Sequence, residues 1–251
     1  MGVSLTGWRA LAVEGAMGAV LLAACAAVAI RTIGSGSPSS PPESRTSQHS
    51  VSLPAAGRAA ATLEVVTGTL DLTIGVADLR ASGTLLRVTT PAGSPAPRLR
   101  AAGQGTSTVI YLSATDASAV TVTLDATVRW RIDLAGGTTR TVADLRGGQV
   151  AGIAVTKGSS VIDLTLPQPR GSVPVRLAAG TGQLLLSLPS GAQARVTAAA
   201  GAGEISLEGR KHAVVRPGAV YTTPAWAPGA PGFDIDATAG AARITVTTRA
   251  S

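Results

Sequence analysis

The chain has 251 residues and a formal net charge of +7; 45% of its residues are hydrophobic but only 2% aromatic, and it holds one Cys. Val, Leu, Ile and Ala must therefore build its core, and no disulfide can form within it. The 21 cations are mostly solitary and no aromatic platform runs among them, which argues against a nucleic-acid partner and for charge scattered over the wet faces of strands.

Residues 1–31 read as a membrane anchor or signal segment. Ala10 to Ile30 is apolar apart from Glu14 and is flanked by Arg9 and Arg31; as a helix it would run roughly 30 Å, about one hydrocarbon thickness. Three outcomes stay open: an uncleaved transmembrane anchor, lipidation at Cys25 in the lipobox-like Leu22-Ala23-Ala24-Cys25, or cleavage at a small-residue site. The flanking charges favour a single-pass or lipid-anchored protein at the cell membrane, with the remainder extracytoplasmic. Residues 32–59, rich in Ser and Pro, are expected to be a disordered tether. His49 is assigned to it and has no neighbouring ligand residue.

Residues 60–251 are expected to form an all-β repeat domain. Strand-like runs alternate apolar and polar residues and lead to the marker glycines Gly137, Gly158, Gly180 and Gly201, spaced 21, 22 and 21 residues apart. A unit this short cannot bury its own apolar face, whereas stacked neighbours can share one core. The recurrence predicts a β-solenoid or stacked β-roll, and an antiparallel β-sandwich built from hairpins remains the alternative. Glycine at the repeated corner is expected to supply a positive φ, Pro167 and Pro189 to end strands, and Trp130, between Arg129 and Arg131, to be a core residue.

The rhythm breaks at residues 212–232, a Pro/Gly-rich stretch holding Tyr221 and Trp226 and read as a loop. Such a loop either covers the open end of the core or binds a partner. On the second reading the candidate partner-binding residues are Arg210, Lys211, Arg216, Tyr221 and Trp226.

Several of these elements resemble a known family. Trp130-Arg-Ile132-Asp-Leu134 leading to Gly136-Gly137, Asp144-Leu145-Arg146-Gly147, and Gly158 leading to Leu166-Pro167 and Pro169-Arg-Gly171 resemble the toastrack-like putative adhesin family of bacterial β-solenoids. The resemblance spans roughly residues 60–250 and departs from the usual paired glycines at Ala179-Gly180 and Ala200-Gly201. It implies a domain displayed behind a membrane segment and associated with cell-envelope stress.

Chemistry is sparse in the sequence. The sole Cys lies in the apolar N-terminal segment, and no metal-ligand spacing or phosphate loop occurs, so neither a metal nor a cofactor is expected. Asp133, Asp144, Asp163, Asp234 and Asp236 could make a paired-carboxylate glycosidase site, but they fall on different rungs, apart from Asp234 and Asp236, which share the exposed face of a terminal strand. The expectation is a non-enzymatic, adhesin-like or scaffold module of the cell envelope, with membrane, envelope proteins or anionic wall polymers as partners and its oligomeric state open. A polysaccharide-processing or saccharide-binding enzyme on a solenoid scaffold is the alternative.

Overall fold

The computed structural model describes residues 48–103 and 108–249. The anchor segment, with Cys25, and most of the expected tether lie outside them. Within the described residues no helix is long and apolar enough to cross a membrane.

In chain order, β1 (His49–Pro54) precedes a first two-strand rung, β2 (Ala60–Val65) and β3 (Thr69–Ala77). Next come β4 (Thr84–Thr90), β5 (Arg98–Ala102) and a second rung of β6 (Val109–Ser113) and β7 (Ala119–Asp125). Four rungs follow directly: β8 (Arg129–Leu134) with β9 (Thr138–Asp144), β10 (Gln149–Val155) with β11 (Ser159–Thr165), β12 (Ser172–Leu177) with β13 (Thr181–Leu188), and β14 (Gln193–Ala198) with β15 (Ala202–Leu207). Two short strands, β16 (Arg210–Val215) and β17 (Ala219–Thr222), then lead to the last rung, β18 (Gly232–Ala237) and β19 (Ala241–Thr248).

Each rung gives one strand to a ten-stranded sheet and the other to a nine-stranded sheet. Along the stack the rungs run β6–β7, β2–β3, β8–β9, β10–β11, β12–β13, β18–β19, β14–β15, and every neighbouring pair is parallel. Antiparallel pairing is confined to the ends. There β4 and β1 extend the first sheet beyond β7 and β5 extends the second beyond β6, while β16 and β17 add to β15 and β14. The domain is thus all-β with two mixed sheets. Neighbouring rungs stack in parallel, but they do not follow one another in chain order as they would in a simple coil.

Alternation along each strand sends one residue in two into a single core between the sheets. Register then aligns like with like. Ile110, Leu63, Ile132, Ile153, Val175, Ile235 and Val196 form one continuous column across the second sheet, all fully or nearly fully buried. Each such side chain contributes about 1.5–3 kcal/mol of burial, which is how a chain with few aromatics holds together. Trp130 joins this core, its indole Nε1 donating to the carbonyl of Asp125 at 2.9 Å.

Three expectations need correction. Residues 49–54, assigned to the tether, form β1 on the edge of a sheet, because Val51, Leu53 and Ala55 keep the alternation going and Leu53 and Ala55 pack on the core. Residues 212–232 are not simply loop, since they include most of β16, all of β17 and the start of β18. The corner glycines do not share a positive φ, which occurs only at Gly201 (83°). At some of these corners the reason is close backbone approach, whereas at Gly158 and Gly180 an added Cβ would make only ordinary contact. A Cβ would stand 3.0 Å from the Gly137 carbonyl oxygen at Gly68 and 3.3 Å from that of Gly158 at Gly137, and at Gly136 it would overlap the Thr67 carbonyl.

Candidate interaction surface

The end of the stack formed by β14–β17 carries all five candidate residues. β15 turns into β16 through Glu208 and Gly209, at φ 48° and 81°; two left-handed residues in a row give the twist a tight hairpin needs. Arg210 and Lys211 open β16 and are exposed, as is Arg216 in the turn towards β17.

Tyr221 has a different role. It sits opposite the buried Val196, on the inward face, while His212 sits opposite the buried Ile205 on the other sheet. Their rings stack with centroids 4.3 Å apart. This pair spans from the edge of one sheet to the edge of the other and covers the end of the core, against which Tyr221 packs. Of the two readings of the segment, covering the core is the one that describes Tyr221.

Trp226 lies instead on the outer face of the second sheet. Buried Thr223 ties the start of its loop to β14, its hydroxyl accepting from the Ala194 N–H at 3.0 Å and its own N–H donating to the Ala194 carbonyl at 2.9 Å. The Arg195 guanidinium stands 5.5 Å from the Trp226 ring centre and donates to both Asp234 carboxylate oxygens at 2.9 and 2.6 Å. Asp234 holds the Arg195 guanidinium more firmly protonated than usual. The structure therefore brings Arg210, Lys211 and Arg216 to the exposed end and separates Trp226 and Tyr221 from them onto opposite sides of the second sheet.

Sequence reasoning missed two members of this end. Val214, 85% exposed, and Val220, 54% exposed, are its outward apolar side chains. Val214 has φ 53°, a costly conformation for a β-branched residue. The doublet Val214-Val215 carried the signal, because strict alternation can bury only one of two consecutive valines.

The carboxylates do not converge. Asp144 and Asp163 lie in one sheet, and Asp133, Asp234 and Asp236 in the other, with β10 and β12 between β8 and β18. Arg131, Arg146, Arg195 and Arg176 engage Asp133, Asp144, Asp234 and Asp236 respectively. The hydrogen bonds from Arg146 pull the Asp144 carboxyl below its usual range, opposite to the shift a general acid needs. A 580 Å³ trough along the glycine corner, edged by Thr69, Leu70, Ser118 and Thr139, contains Asp116 as its single titratable side chain. Among the described residues no three His, Cys, Asp or Glu side chains gather as a metal site would require.

Comparison with known proteins adds a fold relationship. No protein-family model matches the chain, and no curated protein matches it. Among solved structures, a putative cell adhesion protein from Clostridium sporogenes aligns with a TM-score of 0.60 at 16% identity, covering 82% of this chain and all of that one. A putative adhesin from Bacteroides fragilis aligns at 9% identity with a TM-score of 0.25, covering 82% of this chain and 98% of that one. The first comparison shows a shared all-β fold.

Proposed function

We propose that this chain is a non-enzymatic, adhesin-like scaffold module of the cell envelope, a toastrack-like β-roll held at the membrane by residues 1–31. Its partner-binding surface is the β14–β17 end, where Arg210, Lys211 and Arg216 stand beside Val214 and Val220 and the edges of both sheets are open. The observation that carries this reading is that end itself: cationic and apolar side chains are exposed together on short edge strands, a combination suited to docking a protein or an anionic polymer. The fold shared with a putative cell adhesion protein supports it. The resemblance to envelope-stress proteins makes the partner one whose association changes when the wall is damaged.

The test is photo-crosslinking from position 220 of the full chain in intact cells, with and without a wall-targeting antibiotic. A defined envelope partner is expected, captured by the parent and lost when Arg210, Lys211 and Arg216 are all changed to Glu. Equal capture by the charge-reversed variant would overturn the assignment of this end. Turnover of a wall polymer that stops on Asp163→Asn or Asp234→Asn substitution would overturn the non-enzymatic reading.

A further inference from the structure

A second, smaller cavity of about 170 Å³ lies in the middle of the stack, where β8, β10 and β12 begin, with β18 between it and β14. Its polar lining consists of Arg129, Gln149, Gln168 and Arg170, with Val150 and Val173 beneath, and no carboxylate takes part. The sequence builds this arrangement locally. In Pro167-Gln-Pro169-Arg the two prolines are buried and the two residues following them are exposed, because an extended segment points alternate side chains to opposite sides. Rigid proline φ angles hold Gln168 and Arg170 to one face.

The Gln149 amide is already oriented. Its Nε2 donates to the Thr127 carbonyl at 3.3 Å, and its Oε1 accepts weakly from Arg170 at 3.4 Å. That bond uses one of the five N–H groups of Arg170. Among the described residues the Arg129 guanidinium has neither a carboxylate nor a hydrogen-bond partner. Elsewhere on the domain Arg80, Arg131, Arg146, Arg176, Arg195 and Arg243 each meet an Asp or Glu. In this concavity two guanidinium forks and two amides face a common space with no acid among them.

From this we infer an oxyanion site formed by Arg129, Arg170, Gln149 and Gln168, which takes the phosphate or carboxylate group of an anionic envelope polymer. Guanidinium forks match such groups bidentately. The volume holds about five or six water-sized units, enough for one charged group and the carbons attached to it but not for a whole saccharide chain. The polymer then continues outward over the sheet. This site is separate from the β14–β17 end; the envelope as the source of its polymer rests on the reading above, whereas the anion site itself does not.

The test is calorimetric titration of the full chain in detergent at low and at physiological salt. The probes are inorganic phosphate, glucuronate, glucose, a glycerol-phosphate polymer and a polyuronate. Phosphate or glucuronate is expected to bind and glucose not to bind. Arg129→Gln and Arg170→Gln are each expected to weaken binding about tenfold or more, with the melting temperature unchanged because both side chains are exposed. Arg210→Gln serves as the control and leaves affinity unaltered. Tighter binding of one polymer than of its monomer identifies the natural source as phosphate-bearing or uronate-bearing. Polymers no tighter than their monomers would overturn the polymer assignment, and equal binding by the two pocket variants or by glucose would overturn the site. Loss of cellular crosslinking with these titrations intact would refute the β14–β17 assignment alone.

Discussion

Glycine illustrates how differently one residue type is used along this chain. At Gly136 a methyl group would overlap the Thr67 carbonyl of the neighbouring rung and stand 2.9 Å from the Gly68 nitrogen, whereas at Gly240 it would meet nothing within 4 Å. Both stand at the turn between the two strands of a rung, yet only one is held against a neighbouring backbone that cannot swing aside. Gly136→Ala is therefore expected to cost about 3 kcal/mol and to lower the melting temperature by roughly 5–10 °C. Gly240→Ala should stay within about 0.5 kcal/mol of the parent. Thermal melts of the two variants side by side check this, and equal shifts would mean that rung spacing at the corner is not what selects glycine.

At the scale of single elements, the turns leaving β3 and β9 share one device. Val76-Ala-Asp78-Leu-Arg80 recurs as Val142-Ala-Asp144-Leu-Arg146, on strands adjacent in the first sheet. In each copy the Asp accepts from the backbone N–H of the Arg two residues on and from its guanidinium, with shortest ion-pair contacts of 2.6 Å at Asp78 and 2.5 Å at Asp144. The guanidinium hydrogen bonds hold the Asp78 carboxyl down at about 2, against an ordinary 3.8, and lower Asp144 in the same direction. A carboxylate whose folded pKa is depressed adds stability above its unfolded pKa, and that stability is lost as pH falls through the folded value. The Asp78 turn therefore strengthens the domain above about pH 4 and stops doing so as pH approaches 2, and the Asp144 turn acts in the same direction. Melting temperature measured from about pH 5 to pH 2 should fall less steeply in the Arg80→Gln, Arg146→Gln double variant than in the parent. Superimposable acid limbs would show that the pairs are energetically idle, as exposed ion pairs can be.

Across the whole domain, the order of the rungs matters more than their number. The first rung in sequence, β2–β3, is second in the stack, and the last, β18–β19, is second from the opposite end. Both are locked between parallel neighbours, and the excursions β4–β5 and β16–β17 supply the strands that finish the ends. Because β12–β13 and β14–β15 meet only through β18–β19, the stack cannot be assembled like a linear array in which each unit leans on the one before it. Removing residues 230–251 should detach everything from β14 to β17, leaving residues 193–222 open to proteolysis and hydrogen exchange while β8 to β11 stay protected. Protection of residues 193–222 in the truncated chain would show that these rungs can pair without the inserted one.

Much of this was legible in the residues. Period-two alternation and glycines about 21 residues apart are local signals, and they identified the strands from 128 to 207, the burial of Trp130 and the strand ends at Pro167 and Pro189. Candidate residues of the β16–β17 end were legible as residue types but not as a group, because Tyr221 faces inward from β17 whereas Trp226 lies in the loop beyond it, on the outer face of the sheet. The Arg129–Arg170 cavity escaped notice altogether, since its members are about 20 residues apart in sequence and meet only through rung register. Sequence by itself determined that this domain is all-β, built from short units and poor in catalytic groups, because composition and alternation act residue by residue. Tertiary structure alone decided the order of the rungs, the close approach that selects Gly136 and the gathering of Arg129, Gln149, Gln168 and Arg170 round one concavity. Those depend on which strand lies beside which, and strands of nearly identical pattern do not record their neighbours.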